Sequence, residues 1–242
     1  MEDPRQELID NFEKYHIRLD DTFAFKCRSC GKCCKNREDI ILNPRDIFNI
    51  ATALNLTHEK VIKNYCEAYI GGNSRIPIVR LLPKGVNKVC PLLVGDRCSI
   101  QSFKPTVCAL FPVGRVIVAD SAPKELNLGL PITVQYILNP VSCGSLKRKQ
   151  TIRAWLERFS IPVKDEFYMQ WNKIIIGLAS TIQAYEEMDG STEKTLSMIW
   201  DAIFVALYVD YTTCKDFAPQ FDSNTTKILN IINELQNLVL ER

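Results

Sequence analysis

The sequence predicts an α+β protein, in which a small cysteine-rich domain of short strands and helices is followed by a helical C-terminal region. Nine of the ten cysteines lie within the first 143 residues. Short β-branched segments bounded by turn residues follow one another between residues 76 and 138, as is typical of strands. From residue 145 onward, apolar residues recur at helical spacing. We therefore place the cysteine-rich domain at residues 20–144 and the helical region at residues 145–242.

Length and composition limit the possible classes. The chain has 242 residues, enough for one large domain or two small ones. Hydrophobic residues make up 46% and charged residues 24% of the chain, which is ordinary for globular proteins and excludes disordered and collagen-like classes. The formal net charge of +2 is too small to indicate a nucleic acid or an anionic membrane surface. We expect neither as a partner.

Two short helices are expected near the start of the cysteine-rich domain. In "NPRDIFNIATAL", Asn43 is placed to cap a helix whose first residue is Pro44. In "NLTHEKVIKNYCEAYI", Thr57 has the same capping role, and the helical pattern is expected to continue through Ile70.

Several short strands are expected next. The segments are "IPIVRLL", "VCPLLV", "RCSI", "GRVIVAD" and "PITVQYIL". The "VGDR" sequence contains the Gly-Asp pair of a tight hairpin turn. Such a hairpin would bring Cys90 and Cys98 close together.

Four helices are expected in the C-terminal region. Their segments are "LKRKQTIRAWLERF", "VKDEFYMQWNKIIIGLASTIQAYEEM", "TEKTLSMIWDAIFVALYVDY" and "TTKILNIINELQNLVLER". We interpret the basic run "LKRKQTIR" as the solvated first turn of a helix rather than as a binding patch.

The start of the chain and its apolar segments predict a cytoplasmic protein. "MEDPRQELIDNF" has neither the basic nor the apolar part of a secretory signal. The apolar runs are too short or too interrupted to cross a bilayer. In a reducing compartment, ten cysteines indicate metal ligation or catalysis before disulfide bonds.

The densest group of thiols is "CRSCGKCC". Cys27, Cys30 and Cys33 follow the C-x₂-C-x₂-C spacing that surrounds iron–sulfur clusters in bacterial ferredoxins, where a remote cysteine followed by proline supplies the fourth ligand. Cys90 before Pro91 offers that combination. Lys32 and Lys35 are expected to favour the thiolate forms of the neighbouring cysteines.

Zinc is the alternative metal, because paired cysteines are its usual structural ligands. Cys90, Cys98, Cys108 and Cys143 suit zinc as well as they suit iron. Cys33 and Cys34 are adjacent, and in extended backbone their side chains would point to opposite faces. The eight clustered cysteines are therefore expected to divide between two four-coordinate centres.

The remaining cysteines and histidines receive structural interpretations. Cys66 and Cys214 are expected to be buried and to act as small hydrophobic residues. His16 and His58 lie outside the cysteine clusters, near charged residues, and are expected to be exposed rather than to bind metal.

These cysteine motifs resemble a bacterial cysteine-cluster (CxxCxxCC) family of zinc- or iron-chelating domains that includes flagellin lysine N-methylase. The resemblance rests on "CRSCGKCC", on "CPLLVGDRCSIQSFKPTVCALFP" and on a later single cysteine, and it covers about residues 23–144. It implies eight metal ligands: Cys27, Cys30, Cys33, Cys34, Cys90, Cys98, Cys108 and Cys143.

The resemblance also implies an activity, the transfer of a methyl group from S-adenosylmethionine to a lysine of a protein substrate. The chain departs from the family at Lys104 and Ala109, where the family has arginines, and lysine and alanine lack the bidentate guanidinium. No glycine-rich nucleotide fingerprint follows a strand, and no residue is assigned a catalytic role.

Three functions therefore stay open at the level of sequence. The first is iron chelation, as an iron–sulfur cluster, or zinc chelation. The second is protein-lysine methylation. The third is a metal-stapled module that presents the C-terminal helices to a protein partner.

Overall fold

The computed structural model describes residues 11–119 and 131–240, so the start of the chain, on which the expectation about a secretory signal rests, lies outside it. Ten strands are described within these ranges: β1 (His16–Ile17), β2 (Thr22–Lys26), β3 (Ile41–Leu42), β4 (Cys66–Ile70), β5 (Pro77–Leu81), β6 (Leu93–Val94), β7 (Arg97–Cys98), β8 (Val113–Ala119), β9 (Ile132–Leu138) and β10 (Ser145–Thr151).

Eight α-helices are described in the same ranges: α1 (Phe12–Tyr15), α2 (Pro44–Leu54), α3 (His58–Tyr65), α4 (Thr106–Leu110), α5 (Ile152–Arg158), α6 (Glu166–Glu186), α7 (Glu193–Phe204) and α8 (Phe217–Leu240). Short 3₁₀ helices cover Lys32–Cys34 and Gln101–Phe103, and a π-helix at Val205–Val209 continues α7. The predicted α+β class with a helical C-terminal region is confirmed.

The strands form four small antiparallel sheets. Their orders are β1-β9-β8, β3-β5-β4, β2-β10 and β6-β7. The strands predicted from β-branched segments between residues 76 and 138 are confirmed. The predicted "VGDR" hairpin is confirmed as well, since Leu93 pairs with Cys98 and Val94 with Arg97.

The predicted start of α2 is confirmed by its capping contacts. The Asn43 side chain accepts a hydrogen bond from the Asp46 amide at 2.9 Å, and the Asp46 carboxylate accepts one from the Asn43 amide at 3.2 Å. Together these contacts form a capping box that satisfies two backbone donors at the helix start. Pro44 occupies the first helical position, where no backbone donor is needed.

The second predicted helix starts where expected but ends earlier. The Thr57 hydroxyl accepts a hydrogen bond from the Lys60 amide at 3.3 Å, which caps α3. The continuation through Ile70 is wrong, because Cys66–Ile70 forms β4 and pairs along its length with Pro77–Leu81. Pairing with a complete neighbouring strand satisfies the backbone groups that a longer helix would otherwise satisfy.

The basic run before α5 is also a strand rather than a helical turn. Ser145–Thr151 pairs with Thr22–Lys26, and a register irregularity lies between Ser145 and Lys149. The helix itself begins at Ile152, with the Thr151 hydroxyl accepting from the Ala154 amide at 3.2 Å. Helical burial starts only there, with Ile152, Trp155 and Leu156 on the buried face.

Two hydrophobic clusters stabilise the fold. The larger one combines α2, α3 and β3–β5 with the long C-terminal helices, and Ile47, Val79 and Leu178 are among its fully buried members. The smaller one combines β2, β8, β9 and α5 around Phe25 and Trp155. Within the described residues, no helix is both long and apolar enough to cross a membrane.

Two of the four interpretations of isolated cysteines and histidines are confirmed. Cys66 is buried, and burial raises the pKa of its thiol to about 12. His16 is exposed as expected. The expected burial of Cys214 is wrong, because this residue lies exposed in the turn before α8.

The expected exposure of His58 is wrong. Its side chain is 2% exposed and lies between two aromatic rings, 5.7 Å from that of Phe48 and 5.4 Å from that of Tyr211. The Nε2 atom has no hydrogen-bond partner among the described residues. The cause is the aromatic packing between α2, α3 and the segment after the π-helix, which the charged neighbours in the sequence did not indicate.

The buried His58 predicts a loss of stability in acid. Burial lowers the pKa of the imidazole from 6.5 to about 4. The unfolded chain therefore takes up a proton near pH 6.5 while the folded protein does not, so this contribution is complete above pH 6.5 and is lost as the pH falls toward 4. Between pH 7.5 and pH 5, the wild-type protein should lose about 2 kcal/mol of unfolding free energy that His58→Phe does not lose.

Urea unfolding at both pH values measures this difference. The exposed His16 provides the control, and His16→Phe should follow the wild-type pH dependence. Equal pH dependence in the wild-type protein and His58→Phe would contradict the prediction.

Candidate metal centre

A cavity of about 770 Å³ lies between the two hydrophobic clusters, since residues of both line its wall. All eight predicted ligand cysteines also line it: Cys27, Cys30, Cys33, Cys34, Cys90, Cys98, Cys108 and Cys143. Each of them is a free thiol. Cys66 and Cys214, which the sequence separated from this set, do not line the cavity. The fold therefore brings thiols from four distant parts of the chain around one space.

The first cysteine loop turns sharply at Gly31. This glycine has a φ of 66°, a left-handed conformation that favours glycine, and it precedes the 3₁₀ helix Lys32–Cys34. A Cβ atom at this position would lie 3.3 Å from the carbonyl oxygen of Asp96, in the β6–β7 turn. The loop and the hairpin are thus in close contact.

A backbone hydrogen bond connects the first loop to the segment that carries Cys90. The Cys90 amide donates to the Cys34 carbonyl at 2.8 Å. The Leu93 amide in turn donates to the Cys90 carbonyl at 3.0 Å, which leads directly into the β6–β7 hairpin with Cys98. Cys34, Cys90 and Cys98 are therefore positioned by one continuous set of backbone contacts.

Cys108 is positioned from another direction by a buried carboxylate. The Asp46 side chain accepts hydrogen bonds from both the amide and the hydroxyl of Thr106, each at 2.8 Å. Thr106 starts α4, which carries Cys108. Asp46, which belongs to the capping box of α2, thus also fixes a second helix that carries a thiol, and no local sequence pattern indicated this role.

The expectation that Cys33 and Cys34 point to opposite faces is wrong. Their backbone is a 3₁₀ helix rather than extended, and both residues line the same cavity. The Cys34 thiol hydrogen-bonds to Cys33, which lowers the pKa of Cys33 to about 6 and raises that of Cys34. Cys33 is therefore the more acidic thiol of the pair.

The positive charges near Cys33 are not the predicted ones. Beyond the Cys34 contact, Lys104 and Arg37 lower the pKa of Cys33. Lys35 forms an ion pair with Asp96 at 3.3 Å instead. The charge of Lys32 acts on Cys143, where burial is the larger effect and raises the pKa of the thiol. Sequence neighbours were a poor guide here because Lys35 pairs with Asp96 and Lys32 acts on a cysteine more than a hundred residues away.

The thiols affect one another's pKa in two overlapping sets that share Cys33. Burial raises the pKa of Cys143, and the charges that raise it further are those of Cys33, Cys30 and Cys27. Burial likewise raises the pKa of Cys108, and the cysteine charges that add to it are those of Cys90, Cys33 and Cys98. A small pocket of about 20 Å³ is also lined by four cysteines of this second neighbourhood: Cys33, Cys34, Cys90 and Cys108.

The donor chemistry fits a thiolate-bound metal. Zinc needs its thiolates about 2.3 Å away. Among the described residues, no group of three or more His, Cys, Asp or Glu side chains is placed to hold one metal ion. The thiols surround a space that is wider than one ion.

Comparison with known families agrees with the cysteine motifs. Residues 26–131 match the CxxCxxCC family, whose description is "Putative zinc- or iron-chelating domain". The matched segment covers 106 of the 242 residues of the chain. The match includes seven of the eight predicted ligands and ends before Cys143. No curated protein and no solved structure matches the chain. The relation to flagellin lysine N-methylase stays a prediction.

The contact between Cys33 and Cys34 predicts a change in thiol reactivity in the metal-free protein. Cys34→Ala removes the donor and should raise the pKa of Cys33 from about 6 toward its ordinary value of 9. Cys34→Ser keeps a hydroxyl donor and should retain most of the lowering.

The pH dependence of Cys33 alkylation by iodoacetamide, followed by mass spectrometry of its peptide, gives both values. A Cys33 pKa that is unchanged in Cys34→Ala would contradict this interpretation.

Proposed function

We propose that the protein chelates iron, as an iron–sulfur cluster, or zinc, through the eight cysteines that line the cavity. The observation that carries this proposal is the arrangement of these thiols around one space, because their segments span more than a hundred residues of the chain. The match of residues 26–131 to a zinc- or iron-chelating family supports it.

The donor set favours soft metals. Thiolates select zinc, copper(I) and iron–sulfur centres, whereas magnesium and calcium require oxygen ligands. The two carboxylates that line the cavity, Asp39 and Asp96, are already paired with Arg37 and Lys35. Sulfur is therefore the donor that the cavity offers.

Iron–sulfur chemistry is favoured over a single zinc ion. Cys27, Cys30 and Cys33 have the C-x₂-C-x₂-C spacing of ferredoxin-type sites, and a core of several iron and sulfide ions suits a cavity lined by eight thiols. Such a cluster supplies one-electron transfer when it is bound. Arg37 and Lys104 near Cys33 would then balance part of its negative charge.

The neighbour relations suggest two centres. The first thiol group consists of Cys27, Cys30, Cys33 and Cys143, and the second thiol group consists of Cys34, Cys90, Cys98 and Cys108. Cys33 borders both groups and is assigned to the first because it completes the C-x₂-C-x₂-C spacing. This division keeps the expectation of two four-coordinate centres but moves Cys90 into the second.

The two other functions stay predictions with their own tests. Methyl transfer would appear as label from S-adenosylmethionine on a protein lysine after incubation of the metal-loaded protein with cell extract. For a purely structural metal staple, Cys30→Ser would abolish partner binding only together with folding, and visible absorption would not change reversibly on reduction.

The proposal of metal chelation predicts the metal content of the purified protein. Protein purified without oxygen should contain iron and acid-labile sulfide and should absorb visible light. A colourless protein that contains zinc would show that the chelated metal is zinc. Cys90→Ser should lower the metal content at least twofold because it removes a thiolate of the second thiol group. Cys214→Ser is the matched control, since this exposed thiol lies outside the cavity, and it should bind as much metal as the wild-type protein. A folded wild-type protein that contains no metal would contradict the proposal of metal chelation.

The division into two groups provides a further prediction. Cys143→Ser and Cys108→Ser should each remove about half of the bound metal, because each removes one ligand from a different group. The double variant should remove nearly all of it. Metal and sulfide analysis of the three proteins measures this, and complete loss in either single variant would indicate one shared centre instead.

A further inference from the structure

The cavity is larger than the thiols and a metal centre require. Its volume of about 770 Å³ lies in the range of about 300 to 1,000 Å³ that small-molecule sites occupy. The cysteines form only one part of its wall. The remainder is built by other residues, of which the metal proposal uses only Arg37 and Lys104.

A second part of the wall is aromatic and fixed in place. Trp155 is 2% exposed, and its indole nitrogen donates to the Leu110 carbonyl at 2.7 Å. The ring of Phe25 meets it edge-on at 5.8 Å, and that of Phe159 does so at 5.1 Å. These three rings line the cavity. A wall of this kind is apolar, and because its rings are packed against one another its shape does not have to be reorganised on binding.

A lysine lies at this aromatic wall without an acidic partner. The ammonium group of Lys104 is 4.8 Å from the centre of the Phe159 ring, and the residue lines the cavity. Within the part of the chain that the structure describes, Lys104 forms no ion pair with a carboxylate. Its charge is therefore available to a group that enters the cavity.

A second cation in the wall is held in a fixed orientation. The Arg115 side chain is 6% exposed, donates to Asp165 at 2.9 Å and stacks on Tyr168 at 3.6 Å from the ring centre. Both Arg115 and Tyr168 line the cavity. The carboxylates that line it, Asp39 and Asp96, have cationic partners already. Because Asp165 pairs with Arg115, the charge of this wall that can attract an anion is that of Lys104.

We propose that the cavity binds a small organic anion with a flat apolar body, with its carboxylate at Lys104 and its body against Trp155 and Phe159. The site goes beyond metal chelation, because it uses the part of the cavity that the cysteines leave open. Charge recognition comes from an ammonium group in a partly buried setting, where it acts more strongly than in bulk water. Apolar recognition comes from the aromatic rings.

Binding of 2-naphthoate to the full-length protein, as purified with its metal, tests the proposal by calorimetry. Its neutral analogue 2-naphthylmethanol should bind at least tenfold more weakly, because it has no charge for Lys104. Lys104→Gln should weaken naphthoate binding about tenfold or more, and Lys104→Arg should retain it. Lys84→Gln is the matched control, since Lys84 also lies over an aromatic ring, at 6.0 Å from that of Tyr65, but outside the cavity. This control should bind naphthoate like the wild-type protein.

Two results would overturn the proposal: equal affinity for naphthoate and its neutral analogue, or naphthoate affinity that is unchanged in Lys104→Gln. Metal analysis of the same samples separates the two proposals. Metal without selective anion binding refutes the anion site alone, and anion binding by a metal-free protein refutes metal chelation alone. Lys104 could instead only balance the charge of a metal centre. In that case Lys104→Gln would bind less metal, and the wild-type protein would bind naphthoate no better than its neutral analogue. This result would also refute the anion site.

Discussion

The hydrogen bond from the Cys90 amide to the Cys34 carbonyl is the contact on which the thiol arrangement depends. It joins a loop near the start of the chain to a hairpin more than fifty residues later, at a donor–acceptor distance of 2.8 Å. Backbone donors away from water need a partner, so the contact fixes the separation of the two segments. Gly31 allows this approach because the loop passes within van der Waals distance of Asp96. The remaining cysteines then approach from α4 and from the segment before β10.

Charge is distributed around the cavity in a way that suits thiolates. Arg37 and Lys104 stabilise the thiolate at Cys33, and the neighbouring cysteine thiols are held protonated by burial in the metal-free protein. Several neighbouring thiolates would repel one another without a cation. A bound metal removes this repulsion, so metal binding and the deprotonation of these thiols are coupled. The long helices α6 and α8 support the same site indirectly, because they pack in the larger hydrophobic cluster beside it.

Local signals in the sequence predicted local structure well. Asn43 and Thr57 marked two helix starts, and Gly-Asp marked the hairpin, because each acts through residues only a few positions away. The strand at residues 145–151 was missed because its partner, Thr22–Lys26, lies more than a hundred residues earlier. The burial of His58 was missed for the same reason, since Tyr211 covers it. The division of the chain at residue 144 stays a prediction.

In the candidate metal centre too, the sequence predicted local features but not those that depend on distant segments. The clustering of cysteines in the sequence predicted the eight thiols that line the cavity, because several cysteines spaced a few residues apart are typical of a metal site. Their grouping could not be predicted, since it depends on the 3₁₀ turn at Lys32–Cys34 and on how distant segments meet. Lys104 and Trp155 gave no signal either: a single lysine and a single tryptophan acquire their positions in the cavity only from the tertiary fold.

The most direct test of the central claim is a crystal structure of the anaerobically purified protein, with anomalous difference maps recorded at the iron and zinc absorption edges. The account predicts anomalous peaks inside the cavity, in contact with the first thiol group and with the second. A well-ordered cavity without any anomalous peak, in crystals of protein that was never exposed to oxygen or chelator, would contradict it.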